Sequence, residues 1–154
     1  MNHEPKTAHR AAFTVVGLRQ RGTAESIPKD VPAMWGRLMQ RAGEIKHGVN
    51  PREAFGVIGH PDPTTREFDY VAGFAVADAS EVPEGMVSVH VPAQTYAVFP
   101  CTLPTLMDTF KHIYHTWLPQ SSHQRAEGPE FELYGEEFDP ADPDSRMYIY
   151  VPMG

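Results

Sequence analysis

The 154-residue sequence contains a single cysteine, Cys101, so an intramolecular disulfide is excluded and nothing points to an oxidising compartment. It also lacks an uninterrupted run of about 20 apolar residues, the length that a membrane-spanning helix requires. Residues 1–9 are polar and do not resemble a signal peptide. We therefore expect a cytoplasmic protein without a membrane partner, in which Cys101 is a buried small hydrophobic residue.

Basic residues are scarce: 13 Lys and Arg stand against 20 Asp and Glu, which gives a net charge of −7. Because phosphate neutralisation requires clustered Lys and Arg, this balance argues against direct nucleic-acid binding. An acidic surface instead attracts cations, through a field that salt screens. The length and the ordinary apolar content predict one globular domain.

Sequence motifs for cofactors and metals are also missing. No phosphate loop, dinucleotide fingerprint or nucleophile elbow occurs, so no cofactor is expected. His112 and His115 share one side of a predicted helix, but no Cys pair or His-Glu-x-x-His pattern completes a zinc site. The acidic segment 136–144 lacks the glycine and the spacing of a calcium loop. We predict no metal site.

The order of the predicted elements indicates an α+β fold made of two similar halves. Residues 1–10 are expected to be disordered and residues 11–154 to form a single domain. Strand, helix and two strands occur in that order twice, with an extra strand between the halves. The predicted strands cover residues 12–19, 55–60, 68–76, 86–91, 95–99, 131–138 and 146–151, and the helices begin near Asp30 and Leu103. We expect duplicated β-α-β-β units with pseudo-twofold symmetry, a mainly antiparallel sheet, and two long helices flanking a ligand cleft.

Glu132 lies in a strand between Phe131 and Leu133. Strand alternation places Glu132 and Tyr134 on one face, and Phe131 and Leu133 on the other. If the first face lines a cavity, Glu132 is an anion in an apolar environment, which requires a cationic partner or a proton. A carboxylate that points to water from a half-buried strand is the alternative that the pattern leaves open.

Several segments together resemble a GyrI-like domain, also called the AraC-type bacterial transcription-activator effector-binding domain. They are Tyr-Ala-Val-Phe at 96–99, the helix through 113–119, Pro-Glu-Phe-Glu-Leu-Tyr at 129–134 and Tyr-Val-Pro at 150–152. The resemblance covers about residues 13–153. It implies a duplicated β-α-β-β fold with a cleft on the pseudo-twofold axis, in which Glu132 is the buried anion that meets lipophilic cations. Full regulators carry a helix-turn-helix domain before this module, so the sequence resembles a stand-alone member.

The predicted ligand site combines Glu132 with aromatic side chains whose rings attract cations. These are Trp35, Tyr70, Tyr96, Phe99, Tyr134, Tyr148 and Tyr150. Tyr96 and Phe99 lie on opposite faces of one strand, so at most one of them lines a given cleft. Tyr148 and Tyr150 share a face, which we expect either to line the cleft or to face solvent.

These observations predict a stand-alone binding module for hydrophobic, cationic or aromatic small molecules, active in drug or toxin binding or sensing. The resemblance also implies two alternatives. One is a hydrolase of cyclopropanoid toxins, in which Glu132 acts as general base and Tyr70 as acid. The other is a protein-interaction module such as a gyrase modulator. A protein partner or a homodimer remains open.

Overall fold

Eight strands form one antiparallel sheet in the computed structural model, which describes residues 5–154. The strands are β1 Lys6–Arg10, β2 Phe13–Gly22, β3 Ala54–Ile58, β4 Phe68–Val76, β5 Val87–Val91, β6 Gln94–Cys101, β7 Glu130–Tyr134 and β8 Met147–Met153. Their order across the sheet is β1-β6-β8-β7-β3-β4-β2-β5. The helices are α1 Ile27–Arg41, α2 Leu106–His112 and α3 Leu118–Gln120, with a π-helical turn Ile113–Trp117 joining the last two.

The two halves of the sheet have the same topology. In the first half β2, β4 and β3 are neighbours in that order, and in the second half β6, β8 and β7 are. The halves join where β3 pairs with β7, in a register that sets Gly56 opposite Glu132. The duplicated β-α-β-β fold predicted from the sequence is therefore confirmed, with the pseudo-twofold axis between β3 and β7.

Residues 6–10, expected to be disordered, form the edge strand β1. It pairs with β6 from Lys6↔Val98 to Arg10↔Gln94 and is the counterpart of β5, which pairs with β2 in the other half. The sequence signal was absent because this strand is held by backbone hydrogen bonds and carries mostly polar, exposed side chains. The rest of that expectation, for residues 1–4, lies outside the described residues.

The sheet curls strongly, as its connections require. β5 lies at one edge and β6 lies next to the opposite edge, yet only Pro92 and Ala93 separate these strands in sequence. Because two residues span less than about 10 Å, the two ends of the sheet must approach each other. The inner face of this curl is an apolar cluster that includes Val15, Phe55 and Phe131.

The helices pack on the other face of the sheet. Met34 and Leu38 of α1 are buried against Val16 and Ala72, while Ile113 of the π-helical turn is buried against Ile149 and its neighbours. The apolar residues of α1 recur at three- and four-residue spacing, which gives the helix one face to bury. Since α1 packs mainly on β2 and β4, and the helical segment of the second half packs on its own strands, a space is left between the helices above the central strands β3 and β7.

Candidate ligand-binding site

A cavity of about 1050 Å³ occupies the space between α1 and α2 above the central strands. Its lining is mainly apolar and comes from both halves of the fold. One wall includes Ile27, Val31, Trp35 and Met39, the other Leu106, Met107, Phe110 and Tyr114, and the floor Ile58, Tyr70, Phe74, Glu130, Glu132 and Tyr134. The site therefore depends on the duplication, because neither half alone encloses it.

Glu132 lies on this floor and is only 5% exposed. Its Oε1 accepts hydrogen bonds from the phenols of Tyr70 and Tyr134, each at 2.7 Å. The indole Nε1 of Trp35 in turn donates to the Tyr70 hydroxyl at 3.3 Å. Within residues 5–154 we find no hydrogen bond to Oε2, so this oxygen is left for a ligand or for water.

Gly56 makes this arrangement sterically possible. Tyr70 of β4 must reach across β3 to meet Glu132 of β7, and it passes directly over position 56. A Cβ atom there would lie 2.2 Å from the Tyr70 hydroxyl and 2.6 Å from Oε1 of Glu132. Glycine is therefore required at this position by the geometry of the site. The strand itself does not need it, since a glycine in a strand interior weakens the strand.

Burial governs the ionisation of the site. It raises the pKa of Glu132 to about 7, and it outweighs the hydrogen bonds from Tyr70 and Tyr134, which act to lower the pKa. The negative charge of Glu130 raises the same pKa further. Burial and the carboxylate together hold the pKa of Tyr70 well above its usual value, so this phenol remains a donor at neutral pH.

No cation among the described residues forms an ion pair with Glu132. The ion pairs within residues 5–154 join surface residues, namely Arg21 with Asp69, Arg41 with Glu44 and Lys46 with Glu81. The apolar cavity thus contains a carboxyl group that is close to half-ionised at neutral pH. Such a group can take up a proton, bind a cationic ligand, or accept a proton from a reactant.

Glu130 is a second carboxylate on the same cavity floor, and the sequence analysis missed it. It lies two residues before Glu132 on β7, so strand alternation gives both side chains the same face. Tyr114 donates a hydrogen bond to its Oε2, and Arg125 Nε donates to the Tyr114 hydroxyl at 3.2 Å. Burial raises the pKa of Glu130. The alternation that singled out Tyr134 was also the available signal for Glu130.

The structure brings together four of the predicted site residues. Glu132, Tyr70 and Trp35 form a continuous hydrogen-bonded chain, and Tyr134 packs edge-on against the Trp35 ring at a centroid distance of 5.2 Å. All four line the cavity. Their contact with a ligand stays a prediction, as does a catalytic role for Glu132 and Tyr70.

Four other predicted residues lie away from the cavity. In the register of β7 with β8, Ile149 and not a tyrosine is opposite Glu132, so Tyr148 and Tyr150 lie on the reverse face. Tyr96 shares that reverse face and packs edge-on against Phe131. Phe99 lies on the helix face, but it is buried under the π-helical turn against Trp117. A shift of one residue in strand pairing exchanges the two faces of the sheet, and the sequence alone did not give the register of β7 with β8.

The remaining polar features of the described chain give no competing site. Burial raises the pKa of the Cys101 thiol to about 12, which suits a packed side chain and not a nucleophile. In residues 5–154, no three His, Cys, Asp or Glu side chains are grouped in a way that could hold a metal ion. None of the helices in this part of the chain is long and apolar enough to cross a membrane.

Paired β-α-β-β halves that enclose an apolar cavity with a buried glutamate define an effector-binding domain. Residues 9–153 match the Cass2 family, described as integron-associated effector binding protein, and the chain belongs to this family. The expected GyrI-like class is thereby confirmed, and small-molecule binding is the function class of the domain.

Relatives of the chain include a regulator and solved structures. It is 36% identical to the transcriptional regulator BrlR of Pseudomonas aeruginosa over 156 residues, covering 99% of this chain but only 56% of BrlR. The structure of SAV2435 bound to tetraphenylphosphonium has a TM-score of 0.79 at 14% identity, covering 98% of this chain and 94% of SAV2435. The integron cassette protein VCH_CASS2 of Vibrio cholerae has a TM-score of 0.64 at 17% identity, covering 97% and 95% of the chains. At these identities the structures share the fold.

Proposed function

We propose that this chain binds hydrophobic small molecules that carry a positive charge on an aromatic or apolar body, with Glu132 as their counter-ion. The observation that carries the proposal is a carboxyl group only 5% exposed, held by two phenols in a mainly apolar cavity, with no cation of the described chain paired to it. A buried carboxylate is costly unless it is paired, so a cationic ligand has an interaction to gain there.

The size and lining of the cavity support the same ligand class. Its volume of about 1050 Å³ is at the upper end of the range typical of drug-sized ligands. The rings of Trp35, Tyr70 and Tyr134 surround the carboxyl group and provide faces or edges for an aromatic cation. SAV2435, which has the same fold, is bound to the lipophilic cation tetraphenylphosphonium.

The biological setting we propose is the sensing or sequestration of drugs or toxins. BrlR is a transcriptional regulator, and the chain spans about half the length of this relative. In a sensing role the domain would act through a regulatory partner or a further domain. With its net charge of −7, the chain is not expected to contact nucleic acid directly. The cytoplasmic location and a homodimer stay predictions.

A pair of ligands with matched shape and opposite charge tests the proposal. Tetraphenylphosphonium and tetraphenylborate have the same shape and opposite charge, and triphenylphosphine oxide is a neutral aromatic comparison. We expect the cation to bind most tightly, with an affinity that rises about tenfold between pH 6 and pH 8, because only the ionised form of Glu132 pairs with it. Isothermal titration calorimetry, or quenching of tryptophan fluorescence, measures the three affinities across this range.

The variant Glu132→Gln provides the decisive comparison, since it keeps the size of the side chain and removes its charge. We expect it to abolish the pH dependence and to weaken the cation at pH 8 by about tenfold or more, while the neutral ligand changes little. Glu127→Gln, which removes an exposed carboxylate outside the cavity, is the matched control. Equal affinity of wild type and Glu132→Gln for the cation at pH 8 would refute the proposal.

The hydrolase reading has one observation in its favour. A carboxyl group with a pKa of about 7 beside two phenols is suited to accept a proton at neutral pH. Turnover of a cyclopropanoid compound by the wild type and not by Glu132→Gln would favour this reading over simple binding. The protein-interaction alternative gains no specific support from the contacts of residues 5–154.

A further inference from the structure

The cavity floor contains two carboxylates, of which the proposed function uses one. Glu130 and Glu132 point from the same face of β7, and both line the cavity. Because alternate residues of a strand are about 7 Å apart, the two carboxyl groups define two positions along one line and not a single shared site. Tyr134 continues this line beyond Glu132.

The contacts of Glu130 hold it in place without neutralising it through an ion pair. Tyr114 donates to Oε2 of Glu130, and Arg125 Nε donates to the Tyr114 hydroxyl. Burial keeps the pKa of Glu130 raised and outweighs the positive charge of Arg125, which acts to lower this pKa. The Nη atoms of Arg125 are bonded to the backbone carbonyls of Ala126 and Gly128, at 2.9 and 3.2 Å. No ion pair within residues 5–154 includes Glu130.

The surroundings of Glu130 are suited to an apolar group that carries a charge. Ile58 is its neighbour across the β3–β7 ladder, and the lining of the cavity includes Ile58, Phe68 and Ile27. The other titratable side chains of the lining, besides the tyrosines and Arg125, are Arg52 and His60, which are both exposed. A cationic ligand group beside Glu130 would therefore meet a carboxylate among apolar side chains, with the charge of Arg125 also acting on this carboxylate.

We propose that Glu130 forms a second cation subsite and that the preferred ligands of the cavity are elongated dications, with positive groups about 7 Å apart on an aromatic or apolar frame. This inference rests on the proposed function, because Glu132 must be the first subsite. A dication also relieves the repulsion between the carboxylates, which raises the pKa of Glu132 in the empty site. A monocation pairs with one carboxylate and leaves the other without an ion pair among residues 5–154.

A series of alkyl-linked bis(pyridinium) dications of increasing linker length tests this inference at pH 8. Each dication is compared with the monopyridinium that has the same alkyl chain and a neutral end. We expect wild type to bind the best dication at least about tenfold more tightly than its monocation, with an optimum at one linker length. Isothermal titration calorimetry in buffers of different ionisation enthalpy measures affinity and proton release together.

The variants separate the two subsites. Glu130→Gln should weaken the best dication about tenfold and change the monocation less than about twofold, whereas Glu132→Gln should weaken both. Glu127→Gln, an exposed carboxylate near Glu130 in sequence, should change neither. Glu130→Asp keeps the charge on a shorter side chain, so it should retain the preference for dications and shift the optimal linker length.

Two results would overturn the inference. One is a wild type without preference for dications, and the other is a Glu130→Gln variant that affects monocation and dication alike. In either case a monocation that still depends on Glu132 leaves the proposed function standing. If the monocation is insensitive to Glu132→Gln, the proposed function itself fails. Should Glu130→Gln not fold, a linker optimum in Glu130→Asp identical to that of wild type would also refute the inference.

Discussion

The two faces of strand β7 combine aromatic rings and charge in opposite ways. On one face, Phe131 is completely buried and stacks on Tyr150 at a centroid distance of 4.6 Å. The guanidinium of Arg10 lies 5.0–5.7 Å from four ring centroids of this cluster, those of Phe13, Phe55, Phe131 and Tyr150. On the other face, aromatic rings surround the anion Glu132 beside a cavity of about 1050 Å³.

The two faces therefore differ in the source of their counter-charge. The aromatic cluster is paired with a side chain of the same protein, and the cavity, within residues 5–154, is not. The aromatic cluster around Phe131 already contacts a cation of the protein itself, Arg10, which is the last residue of the edge strand β1. The cavity holds a carboxyl group with no cation from the described chain. The Arg10 cluster contributes to stability. The cavity costs stability because burial disfavours the charge of Glu132, and such a cost is common at ligand sites.

The largest expected effect is on the face of β7 that carries Phe131. Phe131→Ala removes a fully buried ring from the aromatic cluster and should lower the free energy of unfolding by about 3–5 kcal/mol. Because Phe131 points away from the cavity, the affinity of the folded variant for a lipophilic cation should stay within about threefold of wild type. Urea denaturation and calorimetric titration measure the two quantities.

Tyr134→Phe is the matched change on the cavity face, since it keeps a ring and removes one hydrogen bond to Glu132. It should cost about 1 kcal/mol of stability and should weaken the cation at neutral pH. A fall in cation affinity for folded Phe131→Ala as large as that for Tyr134→Phe would show that the two faces do not act separately. Phe131→Leu replaces Phe131→Ala if the latter does not fold.

Removing the charge of Glu132 should raise the free energy of unfolding, opposite in sign to the effect of Phe131→Ala. The pKa of Glu132 is raised by burial from 4.5 to about 7 in the folded chain, so the folded state binds more protons than the unfolded state between these pH values. Wild-type stability should therefore fall by about 3 kcal/mol as the pH rises from 4.5 to 7 and then level off. Glu132→Gln should be more stable than wild type at pH 8, by up to this amount, and similar to it near pH 5.

Thermal and chemical unfolding of both proteins at pH 5 and pH 8 measure this difference. Glu130 gives a dependence of the same sign in both proteins, since burial also raises its pKa. The difference between the two proteins therefore reports Glu132 together with its repulsion from Glu130. A Glu132→Gln variant that loses stability at pH 8 would show that the carboxylate stabilises the fold. The cavity would then not be an open site maintained at a cost.

Much of this arrangement could be predicted because it depends on local patterns. The alternation around Glu132 and the apolar spacing of α1 are properties of short segments, and both agree with the structure. The repeated order of elements was enough to predict the pairing of the two halves. Trp35 and Tyr70 are not close in sequence, but both were predicted as walls of the cleft that this duplication implies. Both line the cavity, and their contact with a ligand stays a prediction.

The parts that failed depend on long-range register. Whether Tyr150 or Ile149 shares a face with Glu132 is decided by a one-residue difference in the β7–β8 ladder. Strand β1 was missed for a related reason, since it is specified by backbone pairing with β6 and by Arg10 seated on distant rings. Gly56 acquires its role only once β3, β4 and β7 are adjacent. Glu130 is different, because the alternation within β7 was a local signal that the sequence analysis did not use.

The smallest expected effect tests whether Arg10 fills the aromatic cluster as a cation or merely as an apolar side chain. Arg10→Met keeps a long apolar stem and removes the charge, so the loss in unfolding free energy should be about 1 kcal/mol, the scale of a partly exposed cation–π contact. Arg10→Lys keeps the charge and should retain part of this energy, although a compact ammonium cannot approach four rings at once as the larger guanidinium does. Lys6→Met, which changes an exposed cation of the same strand, is the control and should be neutral within about 0.5 kcal/mol.

Cation affinity in the cavity should be unchanged in all three variants. A loss of stability in Arg10→Met no larger than in Lys6→Met would show that the cluster needs no cation, and the contrast between the two faces of β7 would then be one of packing and not of charge.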